Sequence, residues 1–581
     1  MARPFAKVAM IGLGATGSAL AVWLAAAGRH VVGIEADGTA LAAARERVRR
    51  RIEETVPADR AAEVSGRIQY AVDVEAASDA ELVVEAVPEQ LPVKLDVFAR
   101  ADEVCPDDTV FVTTTTGLSI TEIASRSGRM PRTVGLHLFP AATSLEDGAA
   151  ELVSTPVTEH GVPTAMVELI SELGLTAVEV GDHAGFVGGA LLMGYLNGAA
   201  TMYEQGYASR DDIDTAMRLG CGLPTGPLEQ IDQIGVDVVH DTLHALHERC
   251  GDRTFAPARV LTQMRVAGLH GQKTGRGFYD YGPAAATAAP VAKPQDVAVR
   301  AIGVVGSGRM ATGIAEVCAR AGYRTVVAAR NDVRAKEALG VIDESLTRGV
   351  RRGRLTTAEQ SAIMDRLAGV GALGGLADCD LVIEAVAEDL DVKRRVFAEL
   401  DSVCDANTVL ATTTSSLPVL ECATATSRPH RVIGMHFFNP APAMRLVEVV
   451  RTLLTSDATV ATARAVTASL GRTAVGCGDR AGFIVNALLF PYLNRAAAML
   501  DDRWVSAADI DAVMTGGHGF PLGPLTLLDL VGLDVSLQIQ RSLDQAFGGP
   551  ALAPAKSLVR LVDAGYLGRK TGRGFHIHES G

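Results

Sequence analysis

The chain has 581 residues, 48% of them hydrophobic, with a mean hydropathy of +0.20, which is too long for one core and suits about four domains. A formal net charge of −14 argues against nucleic acid or an anionic membrane surface as partner, so an anionic ligand needs a local basic patch. The eight cysteines form no CxxC pair, which reads as reduced thiols of a cytoplasmic protein, and no metal is expected.

From the N-terminus, Arg3 and Lys7 precede VAMIGLGATGSALAVWLAAAG, the outline of a signal peptide. A similar segment, IGVVGSGRMATGIAEVCARAG, recurs in mid-chain where no signal peptide belongs, so both read as strand, glycine turn and helix. The strand Val8–Ile11 runs into Gly12, Gly14 and Gly17, and a helix over Ser18–Ala27 follows. Glycines at this spacing allow a tight turn, close approach of backbone to a pyrophosphate, and packing of helix on strand. The free amides of the helix start face the phosphates. Glu35 ends the next strand, where a carboxylate holds both ribose hydroxyls and favours NAD over NADP. The runs VVGIEA, LVVEAV, TVFVTTTT and TVGLHLF then alternate with helix-like stretches, which predicts βαβ units on a mostly parallel sheet. From about Ala184 the pattern turns helical, with Ser209 as a candidate N-cap.

The whole arrangement then repeats in the same order. LVVEAVPEQLPVK answers to LVIEAVAEDLDVK, AGFVGGALLMGYLN to AGFIVNALLFPYLN, and each copy closes on KTGRGF. A unit this long is no solenoid repeat; it is a duplicated two-part module. The expected fold class is therefore α/β plus all-α, as two tandem Rossmann-type sheets each followed by a helical domain. The boundaries are 1–183 and 184–282 for the first copy, and 298–480 and 481–581 for the second. Residues 283–297, with Pro283, Pro290 and Pro294 nearby or within, read as the linker. Ser506 is the N-cap candidate that matches Ser209.

The second copy departs from the first at its glycine loop. Gly306 and Gly308 remain, Ala311 takes the third place, and Ala329 stands where Glu35 does, followed by Arg330. Losing the acid removes repulsion towards a 2′-phosphate and Arg330 can pair with one, so this copy takes NAD or NADP.

The densest chemistry lies at residues 411–448, which gather Ser415, His436, Asn439 and Glu448. An apolar surround suggests that His436 and Glu448 leave a buried sheet together, and an imidazole held by a carboxylate is suited to taking a proton from an alcohol.

The ordered set GxGxM, EAVxE, TTTSSLP, HFFNPxPxMxLVEV, GFIVN and KTGRGF resembles the 3-hydroxyacyl-CoA dehydrogenase family, particularly its short-chain 3-hydroxybutyryl-CoA types. The resemblance implies an oxidoreductase that interconverts 3-hydroxyacyl-CoA and 3-oxoacyl-CoA with NAD(P). By it, His436 is the base, Glu448 its orienting partner, and Ser415 and Asn486 hold the substrate oxygen. Glu388, Lys393 and Asn439 line the nicotinamide–ribose side, as Glu89 and Lys94 do in the first copy. Ser345 and Arg352, within the basic run ending at Arg354, match the coenzyme A region. The first copy keeps His137, but has Thr116 for Ser415, Gly189 for Asn486, and Pro140 and Ala141 in place of the asparagine and following proline; Glu151 aligns with Glu448 only if two extra residues are accepted. The second copy is thus the expected main active half. Relatives of this kind dimerise through their helical domains, so the tandem chain is expected to be an intramolecular pseudo-dimer, with room for a further homodimer. Two alternatives stand beside this: a dehydrogenase of the same fold acting on a non-CoA hydroxy acid or carrier-bound substrate, and a nucleotide-binding structural protein, against which the intact second-copy set speaks.

Overall fold

The computed structural model describes residues 4–139, 148–282, 299–502 and 504–578. The expected linker at 283–297 and the substitutions at Pro140 and Ala141 lie outside the described residues.

The first sheet is built from β1 (Lys7–Ile11), β2 (His30–Ile34), β3 (Ile68–Ala71), β4 (Leu82–Glu85), β5 (Val110–Thr113), β6 (Thr133–Leu138), β7 (Ala149–Ser154) and β8 (Thr176–Gly181), in the order β3-β2-β1-β4-β5-β6-β7-β8. The second repeats it with β9 (Ala301–Val305), β10 (Arg324–Ala328), β11 (Leu367–Val370), β12 (Leu381–Glu384), β13 (Val409–Thr412), β14 (Val432–Phe437), β15 (Leu446–Arg451) and β16 (Thr473–Gly478), in the order β11-β10-β9-β12-β13-β14-β15-β16. Helical crossovers make neighbouring strands parallel, and the pairs β6–β7 and β14–β15 are antiparallel. Strands such as LVVE and VLAT are buried along their whole length, which is why they read as unbroken apolar runs rather than alternating ones. The first helix is Ala15–Ala26, starting earlier than predicted because Gly14 already serves as its N-cap.

Each sheet is followed by a helical bundle. Ser209 caps the helix Arg210–Cys221 by accepting from the Asp212 amide, and Ser506 caps Ala507–Ala512 in a reciprocal capping box with Asp509. The terminal KTGRGF hairpins dock on buried aspartates. Asp232 accepts from the amides of Phe278 and Tyr279, and Asp529 from those of Phe575 and His576, each at 2.9 Å. A Cβ on Gly277 or Gly574 would lie 1.9 Å from the docking carboxylate, so no side chain fits there.

The two copies share a core. The helix Gly188–Glu204 crosses Val485–Met499, with the rings of Tyr195 and Tyr492 6.1 Å apart. Arg495 pairs with Asp252 at 2.6 Å, and the Tyr207 hydroxyl donates to the Gly478 carbonyl at 2.6 Å. Contacts extend beyond helix on helix: Arg210–Cys221 of the first copy packs on β15 and β16, and the π-helical turn Val513–Gly517 of the second packs on β7.

Candidate active site

His436 and Glu448 sit opposite each other in the antiparallel register of β14 and β15, so their side chains stand side by side on one face. The Nδ1 of His436 lies 2.6 Å from Glu448 Oε2, and the two residues are 6% and 0% exposed. A carboxylate only accepts, so Nδ1 carries the hydrogen and the Nε2 lone pair is left free. The other carboxylate oxygen accepts from the amides of Ile484 and Val485, each at 2.9 Å. These amides open the helix Val485–Met499, so a buried carboxylate is matched to a helix N-terminus.

The first copy builds the same pair. His137 faces Glu151 across β6 and β7, Nδ1 to Oε2 at 2.6 Å, and Glu151 Oε1 accepts from the amides of Val187 and Gly188 at 2.8 and 3.0 Å. The pairing thus forms although His137 and Glu151 stand two residues further apart in sequence than His436 and Glu448.

Asn486 occupies the first turn of Val485–Met499, is 8% exposed, and makes no side-chain hydrogen bond among the described residues. Its counterpart Gly189 leaves open space. A Cβ there would meet only the Thr116 carbonyl, at 4.0 Å. The helix start and the turn carrying Thr116, or Ser415 in the second copy, therefore face one another.

That turn is clamped by Glu388. One of its oxygens accepts from Thr414 Oγ1 at 2.6 Å, from the Ser415 amide at 2.9 Å and from the Ser416 amide at 3.2 Å. Burial alone would raise the Glu388 carboxyl; the Lys393 ammonium and these donors outweigh it and hold it below its ordinary value. Lys393, only 1% exposed, bonds to Glu384 at 2.8 and 3.1 Å and pairs with Glu388 at 3.4 Å, while Thr412 donates to Glu384 at 2.7 Å. Lys94, Glu85, Glu89, Thr113, Thr115 and the amide of Thr116 repeat this in the first copy. Sequence reasoning named Glu388 and Lys393 but missed Glu384 and Glu85. The available signal was a lone acid ending an all-apolar strand, which must be paired if it is buried.

The glycine loops fit a dinucleotide. Gly12 and Gly306 have φ of +89° and +129°, and a Cβ on either would approach the Ala86 or Ala385 carbonyl to 2.7 or 2.6 Å. At Gly14 and Gly308 a Cβ would meet nothing within 4 Å, which leaves the backbone open to a phosphate. A Cβ on Gly17 would lie 1.9 Å from the Gly12 carbonyl. Glu35 accepts from the Leu13 amide at 2.7 Å, directly beside this loop. In the second copy Arg330 is exposed and makes no ion pair among the described residues. Asn439 is exposed just beyond the end of β14.

Ser345 and Arg352 line one cleft of about 260 Å³, together with Arg348, Arg354 and Arg320, against Pro442 and Ala443. Asp37 and Asn331 cap equivalent helices, Gly38–Thr55 and Asp332–Arg351, and counting from those caps puts Arg51 and Glu54 at the places of Ser345 and Arg348. Among the described residues no group of three or more His, Cys, Asp or Glu is placed to hold a metal, and no helix is long and apolar enough to cross a membrane.

Two Rossmann-type sheets, each closed by a helical domain and each carrying a dinucleotide loop after its first strand and a histidine–carboxylate pair on its antiparallel strands, define an NAD-dependent dehydrogenase. Models of the 3-hydroxyacyl-CoA dehydrogenase NAD binding domain match residues 7–183 and 301–480, and those of its C-terminal domain match 185–281 and 482–578. The chain belongs to the 3-hydroxyacyl-CoA dehydrogenase family, as a tandem duplication of its two-domain unit. A 3-hydroxybutyryl-CoA dehydrogenase of Mycobacterium tuberculosis is 44% identical over 283 residues, covering 48% of this chain and 99% of that protein. A probable 3-hydroxybutyryl-CoA dehydrogenase of Bacillus subtilis is 39% identical over 281 residues, covering 48% and 98%. The crystal structure of 3-hydroxybutyryl-CoA dehydrogenase from Escherichia coli K12 matches 97% of this chain and 99% of its own at a TM-score of 0.69 and 23% identity, a likeness of fold alone.

Proposed function

We propose that the second copy interconverts 3-hydroxyacyl-CoA and 3-oxoacyl-CoA thioesters of short acyl chain, and that the first copy is the weaker site. The observation that carries this is the buried His436–Glu448 pair with a free Nε2, held by the helix start that carries Asn486, whose side-chain amide has no hydrogen-bond partner among the described residues. The cleft of Ser345 and Arg352 supports a coenzyme A substrate, as do the names of the M. tuberculosis and B. subtilis relatives.

A nicotinamide dinucleotide held at Gly306 and Gly308 supplies the hydride acceptor or donor. His436 Nε2 takes the hydroxyl proton during oxidation and returns it during reduction, and Glu448 stabilises the imidazolium. Asn486 donates to the substrate oxygen as charge develops on it, joined by Ser415 once its hydroxyl turns from Glu388, to which it donates at 3.3 Å. Glu388, fixed by Lys393, sets the turn that presents Ser415. Arg348 and Arg352 attract the phosphates of coenzyme A.

The first copy, with Glu35, binds NAD; the second, with Arg330 exposed and Ala329 in place of the acid, takes NAD or NADP. In the first copy, Arg51 and Glu54 at the cleft positions favour a substrate other than a coenzyme A thioester. The shared helical core supports reading the chain as a covalent pseudo-dimer, and eight free cysteines suit the cytoplasm.

Acetoacetyl-CoA and longer 3-oxoacyl-CoAs, assayed with NADH and NADPH in parallel, test the activity. His436→Ala should abolish it and His137→Ala should spare it. The reverse pattern would assign turnover to the first copy.

A further inference from the structure

Each histidine–glutamate pair is backed by a glycine that belongs to the other copy. Gly220 lies in the helix Arg210–Cys221 of the first copy, at the matching place in the fold to Gly517 of the second. A Cβ on Gly220 would stand 2.9 Å from Val485 Cγ2 and 3.1 Å from Leu446 Cδ2. Val485 is the residue whose amide holds Glu448, and Leu446 begins the strand that carries Glu448. A Cβ on Gly517 would stand 2.5 Å from the Phe139 ring. That ring lies edge-on to His137 with centroids 4.8 Å apart.

Neither glycine has a positive φ, so the backbone conformation does not call for glycine, and alanine is the better helix former. What excludes a methyl group is the opposite copy. Val485 is β-branched, and its χ1 in a helix is stiff, so its side chain cannot swing aside without shifting the backbone amide that holds Glu448.

We propose that Gly220 and Gly517 are positioning residues acting across the duplication. Each lets the helical domain of one copy seat against the catalytic pair of the other, so the second copy's turnover depends on the first copy's helical domain, whatever chemistry the first copy performs. The inference rests on the reading of His436 and Glu448 as the working pair.

The test uses the full chain with acetoacetyl-CoA and its reducing nucleotide. Gly220→Ala should lower kcat on the order of tenfold or more while each KM stays within about twofold, since sub-ångström displacement of a positioned base acts on turnover more than on binding. Gly517→Ala, at the same position in the fold, should leave kcat within about twofold because it abuts the weaker site. Adding Val485→Ala to Gly220→Ala should restore much of the lost kcat by making room for the methyl group. Gly340→Ala, in an exposed helix position where a Cβ would meet nothing within 4 Å, controls for the helix effect. Wild-type kcat in Gly220→Ala overturns the inference, as do equal losses from Gly220→Ala and Gly517→Ala without rescue. Should Gly220→Ala fail to fold, the double variant decides: a folded double variant with near-wild-type kcat supports the inference, and a folded one that stays slow overturns it. A fully active His436→Ala enzyme would fail the functional reading, whereas an inactive one beside a wild-type Gly220→Ala fails this inference alone.

Discussion

His436 and Glu448 are twelve residues apart in sequence and His137 and Glu151 fourteen, yet both pairs close at 2.6 Å between Nδ1 and Oε2. The antiparallel ladder, and not the spacing, makes the pair. What lies between the strands is free to vary.

Glu448→Gln should lower kcat for alcohol oxidation on the order of a hundredfold or more. The amides of Ile484 and Val485 claim the carbonyl oxygen of the new side chain, so its NH₂ must face Nδ1. Nδ1 then has to be the acceptor, the hydrogen moves to Nε2, and the base loses its lone pair. Steady-state kinetics checks this, with binding of the dinucleotide expected to hold.

Asn486→Ala should cost roughly 2–4 kcal/mol of transition-state stabilisation, as the loss of one oxyanion donor does. The loss should fall mainly on kcat, because a donor aimed at developing charge contributes little to ground-state binding. A rise in KM alone would place Asn486 in binding instead.

Arg348→Ala and Arg352→Ala should each raise KM for acyl-CoA by about tenfold at low salt, with the difference shrinking as ionic strength rises. A pantetheine thioester, which lacks the nucleotide phosphates, should show no such change. Comparing the two substrates separates the cleft from a general loss of stability.

Ala329→Glu should shift the second copy towards NADH, and Arg330→Ala should raise KM for NADPH by about tenfold. Steady-state kinetics of the His137→Ala chain with acetoacetyl-CoA and each reduced nucleotide gives the readout, since turnover reports the second copy. Tighter NADH than NADPH binding before any substitution would assign Arg330 to the solvent.

His518, from the second copy, packs on Phe139 with ring centroids 4.6 Å apart, and its Nε2 is shut off from solvent. Burial pushes its imidazole down from 6.5 to about 3, with His137 acting in the same direction. The folded state thus binds its proton later than the unfolded one. Stability from this site is complete above the unfolded value and is lost as pH falls from 6.5 towards about 3. His518→Leu should therefore narrow the fall in Tm between about pH 7 and about pH 4 by about 1–3 °C. An unchanged fall in Tm would show that this imidazole is not kept neutral by the fold.

The duplicated architecture was legible because repetition and punctuation are local. Strand, glycine turn and helix can be read within twenty or so residues, and the same order occurs twice. Ser209 and Ser506 were legible as caps for the same reason, since a cap serves amides three residues away. Glu384 escaped because its partners, Lys393 and Thr412, come from a following helix and a neighbouring strand. Gly220 and Gly517 escaped more completely, since what they touch lies in the other copy.

The sequence alone determined that there are two dinucleotide-type units, and that the second keeps the fuller set of polar residues. Residue types and short spacings carry that information, because hydrogen bonding and φ preferences act over a few positions. Only the tertiary structure decided that Glu151 meets His137 despite its displaced position, that Ser345 and Arg352 share a basic cleft, and that each helical domain packs on the strand that carries the other copy's glutamate. Those are contacts between chain segments up to hundreds of residues apart, fixed by close packing, which leaves no periodic trace in the sequence.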